Sequence, residues 1–180
     1  MNPADKSDTE VLRRKSFRAL SWGFTLLFAA GGFAAMAFVP RDGGGPLIGS
    51  AACFGMVALA RRIFGSSIVL GEQLKVVNPL VTHHVPYRDI REVASNSRGT
   101  LTVVTSSGRF IYSTGFGGSL IDHYVGTADR AAERINARRR RGGGSKAGVH
   151  ERRALTRAWV ADTCSVLAVL CAISAAVVGV

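Results

Sequence analysis

Ile68-Val69-Leu70-Gly71-Glu72-Gln73-Leu74-Lys75-Val76-Val77-Asn78-Pro79-Leu80 opens the stretch, ending at Phe116, whose reading decides the fold. Its β-rich runs are short, and each is bounded by Gly, Pro, Asn or Ser, the pattern of a small antiparallel sheet. Glu72–Val77 and Leu80–Val85 flank Asn78-Pro79, where proline fixes φ and asparagine tolerates a turn. Tyr87–Val93 is a third run, with Ile90 and Val93 as apolar anchors. Asn96-Ser97-Arg98-Gly99 then turns into Thr100–Thr105, and Ser106-Ser107-Gly108 turns into Arg109–Ser113. At least five short strands in about fifty residues need closure or a cap to bury an apolar face.

Outward from this stretch the composition turns apolar or basic. The chain has 180 residues, 47% apolar and 19% charged, with a net charge of +11. Apolar residues at that density beside so much charge are expected in blocks. Residues 1–16 form a polar tail that contains Arg13, Arg14 and Lys15. From Ala19 to Val39 there are 21 uncharged residues, enough to cross a hydrocarbon core of about 30 Å. A signal peptide would have a shorter apolar region, and a second apolar block follows at once, so a retained transmembrane helix is expected. Pro40 to Pro46 makes a hairpin turn. Leu47 to Ala60 gives 14 uncharged residues before Arg61-Arg62, short for a span and leaving open whether this helix fully crosses. Gly31-x-x-x-Ala35 and Ala51-x-x-x-Gly55 are spacings that permit close helix approach. Residues 17–64 therefore read as a two-helix transmembrane hairpin.

Beyond the sheet, Ser119-Leu120-Ile121-Asp122 has the form of a helix start, and Leu120, Tyr124, Ala128, Ala131 and Ile135 share one helical face. Gly126 inside that pattern costs about 1 kcal/mol against alanine, which places the regular helix from about Thr127. Sheet followed by an amphipathic helix is an α+β order. Arg138-Arg139-Arg140-Arg141 leads into Gly142-Gly143-Gly144-Ser145, and residues 138–156 read as a basic, Gly-rich linker containing Arg152 and Arg153. From Ala158 to Val180 the chain holds 23 residues, apolar but for Asp162, and residues 157–180 read as a third transmembrane helix with almost no tail beyond it.

Gly71-Glu72-Gln73-Leu74-Lys75-Val76, Val85-Pro86-Tyr87-Arg88-Asp89-Ile90, Leu101-Thr102-Val103-Val104, Ser107-Gly108-Arg109 and the closing helix together resemble the bacterial pleckstrin-homology-like (PH-like) domains of small actinobacterial membrane proteins. The resemblance covers residues 66–137. Tyr87 stands where that family usually has tryptophan, and the third apolar helix is outside its pattern. The resemblance implies a bent sheet, a small barrel closed by one C-terminal helix, and a non-catalytic role. It does not extend to phosphoinositide recognition, because the loop that would supply basic residues is Asn78-Pro79, short and uncharged.

Chemistry is sparse. His83-His84 is the one dense pair of titratable bases, and adjacent strand residues point to opposite faces, so the two do not share a metal. Cys53, Cys164 and Cys171 lie in apolar blocks without metal or redox spacing and read as small packing residues. Gly115-x-Gly117-Gly118 lacks the lysine and the βαβ setting of a phosphate loop and reads as a turn. No catalytic residue, cofactor or metal is expected. The arginine runs lack the aromatic interleaving of a nucleic-acid patch. Beside membrane helices, Arg13, Arg14, Lys15, Arg61, Arg62, Arg138, Arg139, Arg140, Arg141, Arg152 and Arg153 read as positive-inside anchors that attract anionic headgroups. An amino terminus inside leaves only Arg41 of the 23 Lys and Arg residues outside. The expectation is a multi-pass protein of the cell membrane, with the sheet domain cytoplasmic and the carboxyl terminus outside. Asp162 lies about one turn inside the third span, at the depth of Arg61 and Arg62 and near Arg18 at the start of the first. It is expected either to pair with one of these arginines, Arg61 or Arg62 first, or to snorkel to water beside Arg157 or cap a late helix start. The expected function is a membrane-anchored interaction module that presents its sheet to a membrane or cytoplasmic protein. The alternative is an accessory subunit of a transport or channel complex, and self-association into a homo-oligomer is left open.

Overall fold

The computed structural model describes residues 9–38, 43–96, 99–117, 126–141 and 150–178. In chain order the elements are β1 (Glu10–Leu12), α1 (Lys15–Phe38), α2 (Gly45–Phe64), β2 (Ser67–Leu70), β3 (Leu74–Val77), β4 (Val81–Val85), β5 (Ile90–Ser95), β6 (Leu101–Thr105), β7 (Phe110–Tyr112), α3 (Thr127–Arg140), β8 (Arg152–Leu155) and α4 (Trp159–Val178). The fold is α+β and divides into two units. One comprises Met1–Arg14 with Ser66–Thr156, and the other Lys15–Gly65 with Arg157–Val180.

Among the described residues, the helical unit contains three helices long and apolar enough to cross a membrane. α2 reaches 20 residues, about 30 Å, because it begins at Gly45-Pro46 and continues through Arg61 and Arg62 to Phe64. Counting uncharged residues alone stops it too early, since arginine stems are apolar and do not end a helix. Pro46 sits in the first turn, where its missing N–H is no loss. α2 packs against both α1 and α4. The α1–α2 seam is close: Ser50 Oγ donates to Gly32 O at 2.9 Å, and a Cβ at Gly32 would meet Cys53 Cβ and Phe54 Cζ at 3.3 Å. Phe33 meets Phe54 edge-on at 5.4 Å, and Phe17 meets Phe64 at 5.3 Å. The small-residue approach therefore uses Gly31, Gly32 and Ala35 on α1 but Gly49, Ser50 and Cys53 on α2. The expected Ala51-x-x-x-Gly55 spacing does not form it, since a Cβ at Gly55 would meet nothing within 4 Å.

In the sheet unit, five antiparallel strands run in the order β1-β2-β3-β4-β8, and three in the order β5-β6-β7. Alternation along the strands points Ile68, Leu70, Leu74, Val76 and Val85 from the larger sheet, and Leu101, Val103 and Ile111 from the smaller, into one core. α3 closes it by burying Ala128, Ala131, Ala132 and Ile135 against β5 and β6. Gly108, at φ +77°, completes the tight β6–β7 turn, in which its N–H donates to Thr105 O at 2.9 Å. Gly115 allows a close approach, because a Cβ there would lie 2.9 Å from Ser66 O.

The strand edges of the smaller sheet are occupied by side chains. Asn78, in the β3–β4 turn, donates from Nδ2 to Tyr112 O and accepts from Thr114 N, both at 2.9 Å, along the β7 edge. Asn136 Nδ2 and Arg139 Nη1, from α3, donate to Val93 O and Arg91 O of β5. Such covering limits pairing with a foreign strand.

Three parts of the sequence reading differ from these elements. Residues assigned to the tail (1–16) include β1, and residues assigned to the linker (138–156) include β8, so both edge strands of the larger sheet come from outside 66–137. Arg138 to Arg140 are the last turn of α3, where positive charge complements the helix dipole. Tyr87–Asp89 is a 3₁₀ turn, and the strand begins at Ile90. The expected helix start at Ser119–Asp122, with Leu120 and Tyr124, lies outside the described residues.

Candidate functional site

Arginines 61 and 62 adjoin in sequence and part in space. Successive helical residues point about 100° apart, and α2 has one neighbour on each side. Arg62 turns to α4, where its Nη2 donates to Asp162 Oδ1 at 2.6 Å. Arg61 turns to α1, where Nη1 donates to Ser21 Oγ at 3.2 Å and the guanidinium carbon lies 4.5 Å from the Trp22 ring centre. Asp162 Oδ2 also accepts from the Ala158 N–H at 3.3 Å. Its carboxylate thus caps the first turn of α4 and takes an arginine, both favourable at a helix N-terminus. The Arg62 and Asp162 side chains are 26% and 42% exposed. A pair that open to water contributes roughly 0–1 kcal/mol.

The same end of the helical unit carries both tryptophans. Trp22 lies in the second turn of α1, half exposed, and Trp159 opens α4 at 76% exposed. An amphipathic indole with cations beside it is the usual composition at a membrane–water boundary. Arg61 and Trp22 are linked by no periodicity in the sequence. The signal available was a tryptophan one turn after Arg18, near the start of the first apolar run.

Most of the remaining cations lie in the sheet unit. Arg13 and Arg14 end β1's strand exit, Arg13 exposed, and Lys15 is the first residue of α1. Arg139 and Arg140 are exposed on α3, Arg138 is half-buried, and Arg141 follows at its C-cap. Arg152 and Arg153 lie on β8, in register with His84 and His83 of β4. Register also sets Lys75 opposite His84 and Val76 opposite His83, so the two histidines lie on opposite faces. Burial, with Lys75 and Arg152 adding to it, lowers the His84 pKa below its ordinary value. Burial also lowers that of His83, with Arg153 and Arg109 adding to the shift and Glu151 opposing it. Tyr87 is buried, and burial raises its phenol pKa. No group of three metal-ligating side chains lies among the described residues, and the three cysteines are free. Gly115 lies in a 3₁₀ turn, Thr114–Phe116, followed by Gly117.

A concavity of about 670 Å³ lies on the outer face of the larger sheet, lined by Gln73, His84, His150, Glu151, Arg152 and Ala154. Sequence reading missed it because Arg152 and His150 join this face only through the pairing of β8 with β4. No protein-family model, curated protein or solved structure matches the chain.

Proposed function

We propose that the chain is a membrane-anchored, non-catalytic interaction module whose PH-like domain is cytoplasmic and meets a protein partner through its sheet. The observation that carries this reading is the origin of the two outer strands. β1 leads into α1 after two residues, and β8 leads into α4 after three. Each approach to an apolar helix is therefore hydrogen-bonded to the sheet: Leu12 pairs with Ile68, and Leu155 with Val81. Links of two and three residues are short, about 14 Å at most, and support a domain tethered close to its membrane anchor. Two antiparallel sheets with one helix over the second support the PH-like reading.

Because Asn78, Asn136 and Arg139 occupy the edges of the smaller sheet, the partner is expected on a face. Phe110 and Tyr112 project outward from β7, 60% and 58% exposed. They are joined on that face by Thr102 and Val104 of β6. Exposed aromatics are common anchors in protein interfaces. Affinity capture from detergent-solubilised membranes, with the full chain and with Phe110→Ser/Tyr112→Ser, tests this. Recovery of the partner is expected to fall at least tenfold with the double variant. Undiminished recovery by a folded double variant would reject the face.

A further inference from the structure

Lys75, His84 and Arg152 occupy one cross-strand row on β3, β4 and β8, because Lys75 pairs with His84 and His84 with Arg152. Side chains paired in this way share a face, and Gln73, His150 and Ala154 fall on that face by the same alternation. The result is a concavity of about 670 Å³ with an arginine, two imidazoles and a primary amide in its lining. Its one carboxylate, Glu151, is engaged elsewhere: Arg109 Nη1 donates to Glu151 Oε1 at 2.5 Å. The volume is that of a small-molecule site, and its donors outnumber its acceptors.

We infer that this concavity binds a small oxyanion of the phosphate class. Arg152 offers a planar fork suited to two anion oxygens. His84 adds a neutral N–H donor above its pKa and a cationic one below, and the His150 imidazole and the Gln73 amide add further donors. The charged and titratable groups facing His84 are Lys75 from β3, Arg152 from β8, and His150 and Glu151 from the segment before β8. Burial and the two cations, Lys75 and Arg152, oppose protonation of His84. An anion there reverses the balance, so proton and anion bind cooperatively. The phosphoryl group could belong to a free anion or to a lipid headgroup, and the two sources are separable.

The test is calorimetric titration of the full chain in an uncharged detergent with inorganic phosphate, and separately with a soluble short-chain phosphatidic acid. Saturable binding of phosphate, weakened at least tenfold by Arg152→Ala and several-fold by His84→Ala, is expected. Sulfate, whose charge does not change over this range, should bind several-fold more tightly at pH 6 than at pH 7.5. Glu151→Gln, which removes the one negative charge of the lining, should tighten binding about threefold. Binding of the phosphatidic acid alone, with the same dependence on Arg152 and His84, assigns the site to a headgroup. No saturable binding of either probe, or binding undiminished in both alanine variants, overturns the inference. If Arg152→Ala fails to fold, Glu151→Gln decides, and binding that is unchanged or weaker counts against the site.

Discussion

Asp162 takes its arginine because of a property of the helix that supplies it. Arg61 and Arg62 are equivalent in depth, and the sequence leaves both open as partners. The choice follows once α2 has α1 on one side and α4 on the other, since about 100° of rotation separates consecutive residues. Which arginine faces which neighbour was not legible without the packing, although the presence of an arginine at Asp162's depth was. Asp162→Lys is expected to remove the pair and the cap together, lowering stability in detergent by about 1–2 kcal/mol. For a chain of this length that is a fall in Tm of roughly 2–8 °C. Adding Arg62→Asp should restore part of the loss, whereas adding Arg61→Asp should not, because Arg61 is engaged with Ser21 and Trp22. A thermal scan of the wild type and these three variants decides it, and equal rescue by both doubles would show that no specific pair exists. The histidines of β4 give a second residue-scale expectation. Both have pKa values depressed in the folded chain, so the folded state binds fewer protons than the unfolded one as pH falls through the ordinary histidine range. Their contribution to stability is then present above about pH 6.5 and lost below it. Denaturant melts of the sheet unit between pH 7.5 and 5.5 should show stability falling with acid, and His83→Gln/His84→Gln should flatten that slope. A slope unchanged in the double variant would assign it to other groups.

Two strands that shape the sheet are the elements least visible in the sequence. Glu10-Val11-Leu12 is too short for an alternation to be read, and Arg152-Arg153-Ala154-Leu155 has the composition of a charged linker. Both are edge strands, where charge is tolerated and even useful because it discourages foreign pairing. Their identity comes from long-range pairing with β2 and β4, which no local pattern records. The central strands were legible for the opposite reason: Leu74, Val76, Leu101 and Val103 alternate against a buried core. At the carboxyl end of β8, Thr156 fixes the strand to the β3–β4 turn. Its N–H donates to Leu80 O at 2.9 Å, and its hydroxyl donates to Asn78 O and accepts from Thr82 Oγ1, both at 2.8 Å. Thr156→Val should cost about 1–3 kcal/mol through the lost hydroxyl bonds. Thr156→Pro, which also removes the N–H, should release β8. Limited proteolysis then cuts near residues 150–157 in the proline variant and not in the wild type. Equal resistance of both would mean that β8 is held by its pairing alone.

At the scale of the whole molecule, register and charge bear on the same question. Leu12 pairs with Ile68, Ser67 with Val77, and Val81 with Leu155. The exit to α1, the entry from α2 and the exit to α4 are therefore all at one end of the larger sheet, as required if every link lies on one side of a bilayer. Of the 23 Lys and Arg residues, only Arg41 falls between the first two apolar helices. The proposed orientation, amino terminus and sheet unit cytoplasmic with the α1–α2 connection outside, is the one the positive-inside bias favours. The opposite orientation would put 22 cations, 23 less Arg41, on the outer side. Two positions read this out. Gly45 begins α2, and a side chain there would meet nothing within 4 Å. Ser107 is exposed in the β6–β7 turn. With the three native cysteines replaced, Gly45→Cys should react with a membrane-impermeant maleimide in intact cells. Ser107→Cys should react only after the membrane is opened. Labelling of Ser107→Cys in intact cells would reverse the orientation. Labelling of both positions there would mean that α2 does not cross, leaving Arg61 and Arg62 on the same side as Arg41 and removing the charge asymmetry on which the cytoplasmic reading rests.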